Sequence, residues 1–207
     1  MEHRVKPRIL IVHGIHTHDS DGWMDFLVEA FNGAGWDARK WTYGYAYAML
    51  TRLQNPGRAQ ALADLIEPGD IVLGHSNGGC LAWMAAQLGA PMGGAILLNP
   101  ALDCDKVMKS HVRWVNLYAN RYDDAVKWAG IFRSHPWGPQ GREGISVPDD
   151  RYRTTFTNST HHGLPRVMGH SGILAPENLP KWSARIISDA HLSMRESLAP
   201  SLRRVIP

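Results

Sequence analysis

Cysteine is scarce in this 207-residue chain, which has only Cys80 and Cys104. Two thiols cannot build a disulfide framework, and their spacing is not that of a metal-ligand pair. They read as free thiols of a reducing compartment. Blocks of like charge are missing too. The formal net charge is +3, thinly spread, with 11 histidines left uncounted. A nucleic-acid footprint needs clustered Lys and Arg, so nucleic acid is not an expected partner. No apolar run reaches the ~20 residues of a membrane span. The opening residues, MEHRVKPRILIVHG, hold neither a signal-peptide core nor a small-residue cleavage site. The expectation is a cytoplasmic chain without a membrane span. Internal repeats and low-complexity segments are absent, which excludes solenoids and linkers.

What is present fits one globular domain: 44% of residues are hydrophobic and 20% charged, a composition able to bury a substantial core. Short apolar runs alternate with helix-length stretches. RILIV (8–12), DARKWTY (37–43), DIVLG (70–74), GAILLN (94–99), VRWVNLYA (112–119) and YRTTFTNST (152–160) read as strands. Helical spacing appears in 22–35, 57–69, 78–90, 123–132 and 179–194. Strands alternating with helices predict an α/β architecture, a mostly parallel central sheet with helices on both faces. The stretch SHPWGPQGREGISVPDDR (134–151) is rich in Pro, Gly and charge. It reads as a flap-like loop.

One segment carries chemistry. Gly74-His75-Ser76-Asn77-Gly78 is a G-x-S-x-G pattern, which arises by chance in roughly one comparable sequence in ten. Its context is more specific than the pattern. A buried strand, DIVL, leads in, and a helix, CLAWMAAQL, leads out. A serine on so sharp a turn needs neighbours almost without side chains two residues before and after it. Gly74 and Gly78 meet that need. The helix N-terminus behind the serine favours developing negative charge.

This stretch resembles the nucleophile elbow of the α/β-hydrolase family. A second motif, ILIVHG (9–14), resembles the strand that ends in His-Gly in that family. The resemblance implies a single-domain α/β-hydrolase fold and a serine hydrolase, esterase-like, acting through a catalytic triad and an oxyanion hole on a small-molecule or acylated substrate. Peptidase, amidase or thioesterase activity on the same triad, or a non-catalytic binding module, stays open. Ser76 is the implied nucleophile. The N–H groups of Asn77 and of Ile15, or else His16, are the implied oxyanion donors. The family order of Ser, acid, His selects an acid after VRWVNLYA, where Asp123 fits best, with Asp124 and Asp103 as alternatives. The segment MGHSGILAPENLPKW (168–182) resembles the family's last catalytic loop and makes His170 the implied base, with His161 and His162 as alternatives. Only 99–111 separate the strand ending near Leu98 from the next one, too few for a cap domain.

Other clusters carry less. His13, His16, His18 and Asp19 lie close enough to raise metal ligation. His13 is accounted for by the oxyanion loop and reads as substrate-binding, so no metal and no cofactor is expected. Trp23, Trp83 and Trp182 sit in helical apolar patterns and read as core. Trp137, in the flap, reads as substrate-facing. Tyr43, Tyr45 and Tyr47 read as one wall of the cleft or as ordinary packing.

Overall fold

The computed structural model describes residues 6–15, 22–44, 48–129, 136–159 and 163–202; of residues 48, 49, 128, 129 and 200–202 it describes the backbone alone. Six strands form one sheet: β1 (Arg8–Val12), β2 (Asp37–Trp41), β3 (Ile71–His75), β4 (Gly94–Leu98), β5 (Val115–Ala119) and β6 (Tyr152–Phe156). Their order is β2-β1-β3-β4-β5-β6, and every neighbouring pair is parallel. The helices are α1 (Trp23–Gly33), α2 (Ala48–Leu65), α3 (Asn77–Gln87), α4 (Asp124–Ala129), α5 (Gln140–Glu143) and α6 (Leu179–Leu202).

The strand sequences explain this layering. β3, β4 and β5 are buried at every position, as apolar runs covered on both faces must be. Alternate residues feed two cores. Ile9, Ile11, Leu73, Ile96 and Leu98 pack with Leu27 and Phe31 of α1 and Trp182 and Ile186 of α6. Leu10, Val12, Val72, Ala95 and Leu97 pack with Ala59 and Leu62 of α2 and Leu81 and Ala85 of α3. The edge strands β2 and β6 are more exposed. They carry Arg39, Lys40 and Arg153 there, charges that discourage edge-to-edge pairing.

The chain begins at β1, moves outward to β2, then returns to β3 on the other side of β1. That reversal makes a topological switch point between β1 and β3, and open parallel sheets bind ligands beyond the carboxyl ends of their strands at such a point. His13-Gly14 follows β1 and Ser76 follows β3, so the two implied halves of the site flank this crevice.

Three expectations are corrected. The second helix begins at Ala48 and passes through Pro56, not at Gly57. Thr51, Asn55, Ala59 and Leu62 on its inner face are all fully buried, and that packing outweighs the ~3 kcal/mol a helix-interior proline costs. The fifth strand starts at Val115, three residues later than read. Residues 136–151 are no loose flap. They contain α5 and are tied down by Gln140 N–H to Leu102 O (2.8 Å), Gly141 N–H to Pro100 O (3.0 Å) and Asn120 N–H to Gly141 O (2.8 Å). A Cβ on Gly141 would lie 2.5 Å from the carbonyl carbon of Asn99, so this segment rests directly on the backbone after β4. Among the described residues no helix is long and apolar enough to cross a membrane.

Candidate active site

The turn from β3 into α3 leaves no room for side chains around Ser76. A Cβ on Gly74 would sit 2.5 Å from the Gly78 backbone, and one on Gly78 would sit 2.4 Å from Val12 O. Real carbon contacts are never that short, so both glycines are required. Ser76 itself has φ 55 and ψ −119, a strained region for a residue with a Cβ. Its backbone is held on both sides: the N–H bonds Leu98 O (3.0 Å), and the carbonyl accepts from Gly79 (3.1 Å) and Ala101 (3.0 Å). The side chain lies against Gly14, where an added Cβ would come within 3.3 Å of Ser76 Oγ.

Asp123 and His170 meet although 47 residues separate them. His170 Nδ1 donates to Asp123 Oδ2 at 2.7 Å, and Asp123 is fully buried. Two more donors reach the carboxylate: Asn99 Nδ2 to Oδ2 (2.9 Å) and the Val126 N–H to Oδ1 (3.1 Å). The second of these is an N-cap on α4, so one carboxylate caps a helix and orients an imidazole. Burial alone would raise its pKa, but the His170, Asn99 and Val126 donors hold it below the ordinary carboxylate value. Asp124 is exposed and pairs with Arg142 at 2.8 Å. Asp103 is exposed and accepts from the Cys104 N–H at 3.0 Å. Neither reaches His170. His161 and His162 lie outside the described residues, as do His16, His18, Asp19, Tyr45 and Tyr47.

The loop bearing His170 is clamped by Asn120, which sits at the end of β5 and is fully buried. Its amide nitrogen donates to Val167 O (3.2 Å) and Gly169 O (3.1 Å), and its oxygen accepts from the Tyr122 N–H (3.0 Å). His75, beside Ser76, donates from Nε2 to the His170 carbonyl at 3.4 Å, with ring centroids 4.9 Å apart. Burial, then the neighbouring His170, push the His75 pKa down to about 3, so it stands neutral. The structure therefore brings Ser76, His75, His170 and Asp123 to one end of the sheet. No hydrogen bond joins Ser76 Oγ to His170 Nε2; such bonds are often made only once substrate is bound.

Asn77 is the first residue of α3, so its N–H has no acceptor inside the helix. Its side chain bonds Asn55, Tyr43 and Trp137. Trp137 is only 5% exposed and packs with Cys80, Leu102 and Val126. It supports Asn77 from within rather than facing substrate. His13 is 3% exposed, and both ring nitrogens are engaged, Nδ1 with Gly14 O (2.6 Å) and Nε2 with the Tyr43 N–H (3.2 Å). Its ring is thus part of the loop's framework rather than a substrate contact. Tyr43 is half-buried and stacks on it.

Sequence reasoning missed Asn99, Asn120, Asn55 and His75. Asn99 carried a possible signal, a polar residue closing an apolar strand, where its φ of 44 and burial now mark it.

No family model matches the chain, and no curated protein does. Solved structures do. A protein described as a CIB-like hydrolase from Thermoplasma acidophilum superposes with TM-score 0.60 at 14% identity, over 92% of this chain and 88% of that one. One described as a hydrolase of the α/β superfamily from Xanthomonas campestris pv. campestris gives 0.54 at 15% identity, over 91% and 99%. A monoacylglycerol lipase of Paleococcus ferrophilus gives 0.53 at 13% identity, over 88% and 94%. At such identities the likeness is one of fold.

Proposed function

We propose that this chain, whose fold is that of the α/β-hydrolases, is a serine hydrolase that cleaves small acyl esters through an acyl-enzyme on Ser76. The observation that carries the reading is the 2.7 Å bond from His170 Nδ1 to the buried Asp123, made at the same end of the sheet as the strained serine turn. A carboxylate there selects the imidazole tautomer with a proton on Nδ1, which leaves Nε2 free to act as a base.

Ser76 Oγ attacks the acyl carbon as its proton passes to His170 Nε2. The carbonyl electron pair moves onto oxygen, and the N–H groups of Ile15 and Asn77 hold that oxyanion. Asp123 stabilises the imidazolium. Collapse of the tetrahedral species breaks the bond to the leaving oxygen, which takes the proton from His170. Water then gives a proton to His170 and attacks the acyl carbon. The second collapse returns the proton to Ser76 Oγ and frees the acid.

Residues 99–114, between β4 and β5, hold no helix or strand. No cap domain is inserted there, which supports an open site suited to small esters. The test is hydrolysis of short-chain p-nitrophenyl esters by wild type and by Ser76→Ala. The expected result is turnover in the first and none in the second. Equal turnover in both would remove Ser76 from the mechanism. A chain that cleaves amides or thioesters but no ester would keep the machinery and change the leaving group.

A further inference from the structure

The hydrogen bonds around Asn77 have a direction that donor chemistry alone fixes. An indole N–H can only donate. Trp137 Nε1 lies 3.0 Å from one end of the Asn77 amide, so that end is the oxygen. The other end is the nitrogen, which donates to the Tyr43 hydroxyl at 3.1 Å. That hydroxyl has one proton, and it goes to the His13 carbonyl at 3.1 Å. Asn55 engages the rest of the amide, giving to Asn77 Oδ1 at 2.7 Å and accepting from Asn77 Nδ2 at 3.2 Å. Both donors and both acceptor sites of the Asn77 side chain are therefore occupied, leaving none for substrate.

The far end of this relay is the loop after β1. Tyr43 grips two successive peptides there. Its hydroxyl holds the His13 carbonyl, which orients the His13–Gly14 peptide. Its backbone N–H donates to His13 Nε2 at 3.2 Å, which places the ring proton on Nδ1. Nδ1 then donates to the Gly14 carbonyl at 2.6 Å. A trans peptide points its N–H opposite to its carbonyl, so the Gly14 carbonyl sets the direction of the Ile15 N–H. The Tyr43 ring stacks on His13 at 4.1 Å and lies under the Arg58 guanidinium at 4.5 Å. Burial pushes the phenol up to about 12, so the hydroxyl keeps the proton it donates.

We propose that Tyr43 is a positioning residue, a strut whose hydroxyl couples the Asn77 turn to the His13-Gly14-Ile15 loop and so fixes the spacing of the two oxyanion donors. The inference rests on the serine-hydrolase reading. It matters because donors aimed in advance at the developing charge stabilise the transition state without rearranging. Ground-state binding does not need that precision.

The test is Tyr43→Phe in the full chain, which keeps the ring and both stacks and removes only the oxygen. On p-nitrophenyl acetate, kcat falls about 10- to 100-fold while KM stays within about twofold. A short-chain alkyl trifluoromethyl ketone, which adds to the serine as a tetrahedral species, loses affinity in proportion to kcat/KM. The matching methyl ketone binds as before. Trp137→Phe, which removes the donor that fixes the Asn77 amide, lowers kcat in the same selective way and serves if Tyr43→Phe fails to fold. Wild-type kcat in either folded variant overturns the strut, and so does equal weakening of both ketones. Failure of the wild type itself to turn over ester or to react with a fluorophosphonate at Ser76 overturns the hydrolase reading, and the strut with it.

Discussion

Replacing Asn99 with alanine removes a hydrogen bond and also leaves a side chain in a backbone shape that disfavours it. Asn99 is 1% exposed, has φ 44 and donates to Asp123 Oδ2 at 2.9 Å. Deleting a bond to a charged acceptor costs about 1.5–3 kcal/mol. A left-handed conformation costs an ordinary L-residue roughly 1 kcal/mol that asparagine largely escapes. Asn99→Ala loses on both counts, about 2.5–4 kcal/mol in total. For a domain of this size that is a fall in Tm of about 5–15 °C. Asn99→Gly loses the same bond but adopts positive φ freely, so it is more stable than Asn99→Ala by about 1 kcal/mol. Activity sorts differently. Both variants leave Asp123 without its second side-chain donor, so both lower ester turnover by a similar factor. The assays are thermal unfolding and p-nitrophenyl ester hydrolysis on all three proteins. An Asn99→Ala protein with unchanged Tm and turnover would refute the reasoning. An alanine variant as stable as the glycine one would refute the backbone part of it.

Four further outcomes follow. His170→Ala abolishes hydrolysis as fully as loss of the serine, while His161→Ala and His162→Ala leave kcat/KM within a few-fold, all read in one steady-state assay. Asp123→Asn lowers turnover by orders of magnitude through the wrong imidazole tautomer, whereas Asp124→Asn loses one exposed ion pair with Arg142 and about 0.2–1 kcal/mol in denaturant titration. The Asp123 carboxyl is held below its unfolded pKa, so the stability it adds is present at neutral pH and drains away as pH falls through the acid range. His75, pushed down to about 3, adds to that loss between about pH 6.5 and 3, where only the unfolded chain takes the proton; Asp123→Asn flattens the acid limb of the stability–pH curve. Trp137→Ala empties a buried site and costs about 3–5 kcal/mol of stability, so its Tm drops well before any effect confined to KM appears.

The tight turn from β3 into α3 was legible in the sequence because its demands are local. Gly74 and Gly78 must be glycine within five residues of chain, since added carbons would meet backbone at 2.4–2.5 Å. The strands were legible because a parallel sheet covered on both faces leaves apolar runs such as IVL and AILL. What supports the site was not legible, because it comes from distant positions. Asn99 reaches Asp123 across 24 residues, Tyr43 reaches Asn77 across 34, and Trp137 reaches Asn77 across 60. Nothing in a single sequence marks such pairs. The start of α2 was hidden for the opposite reason. Pro56-Gly57 looks locally like a break, and only the burial of Thr51 and Asn55 against the rest of the fold overrides it. Trp137 reads as substrate-facing because its neighbours Pro136 and Gly138 suggest a loop, yet a Cβ on Gly138 would lie 2.5 Å from the Asp103 Cα. Those small residues are there for close packing.

The most direct measurement is the site of covalent modification by a fluorophosphonate. Such a probe reacts with a serine made nucleophilic by an adjacent base. The folded wild type should gain one adduct, mapped by peptide mass spectrometry to Ser76, and Ser76→Ala should gain none. His170→Ala, with Ser76 still present, should label slowly or not at all. Adducts on another residue, or rapid labelling of Ser76 in the His170→Ala protein, would contradict the account.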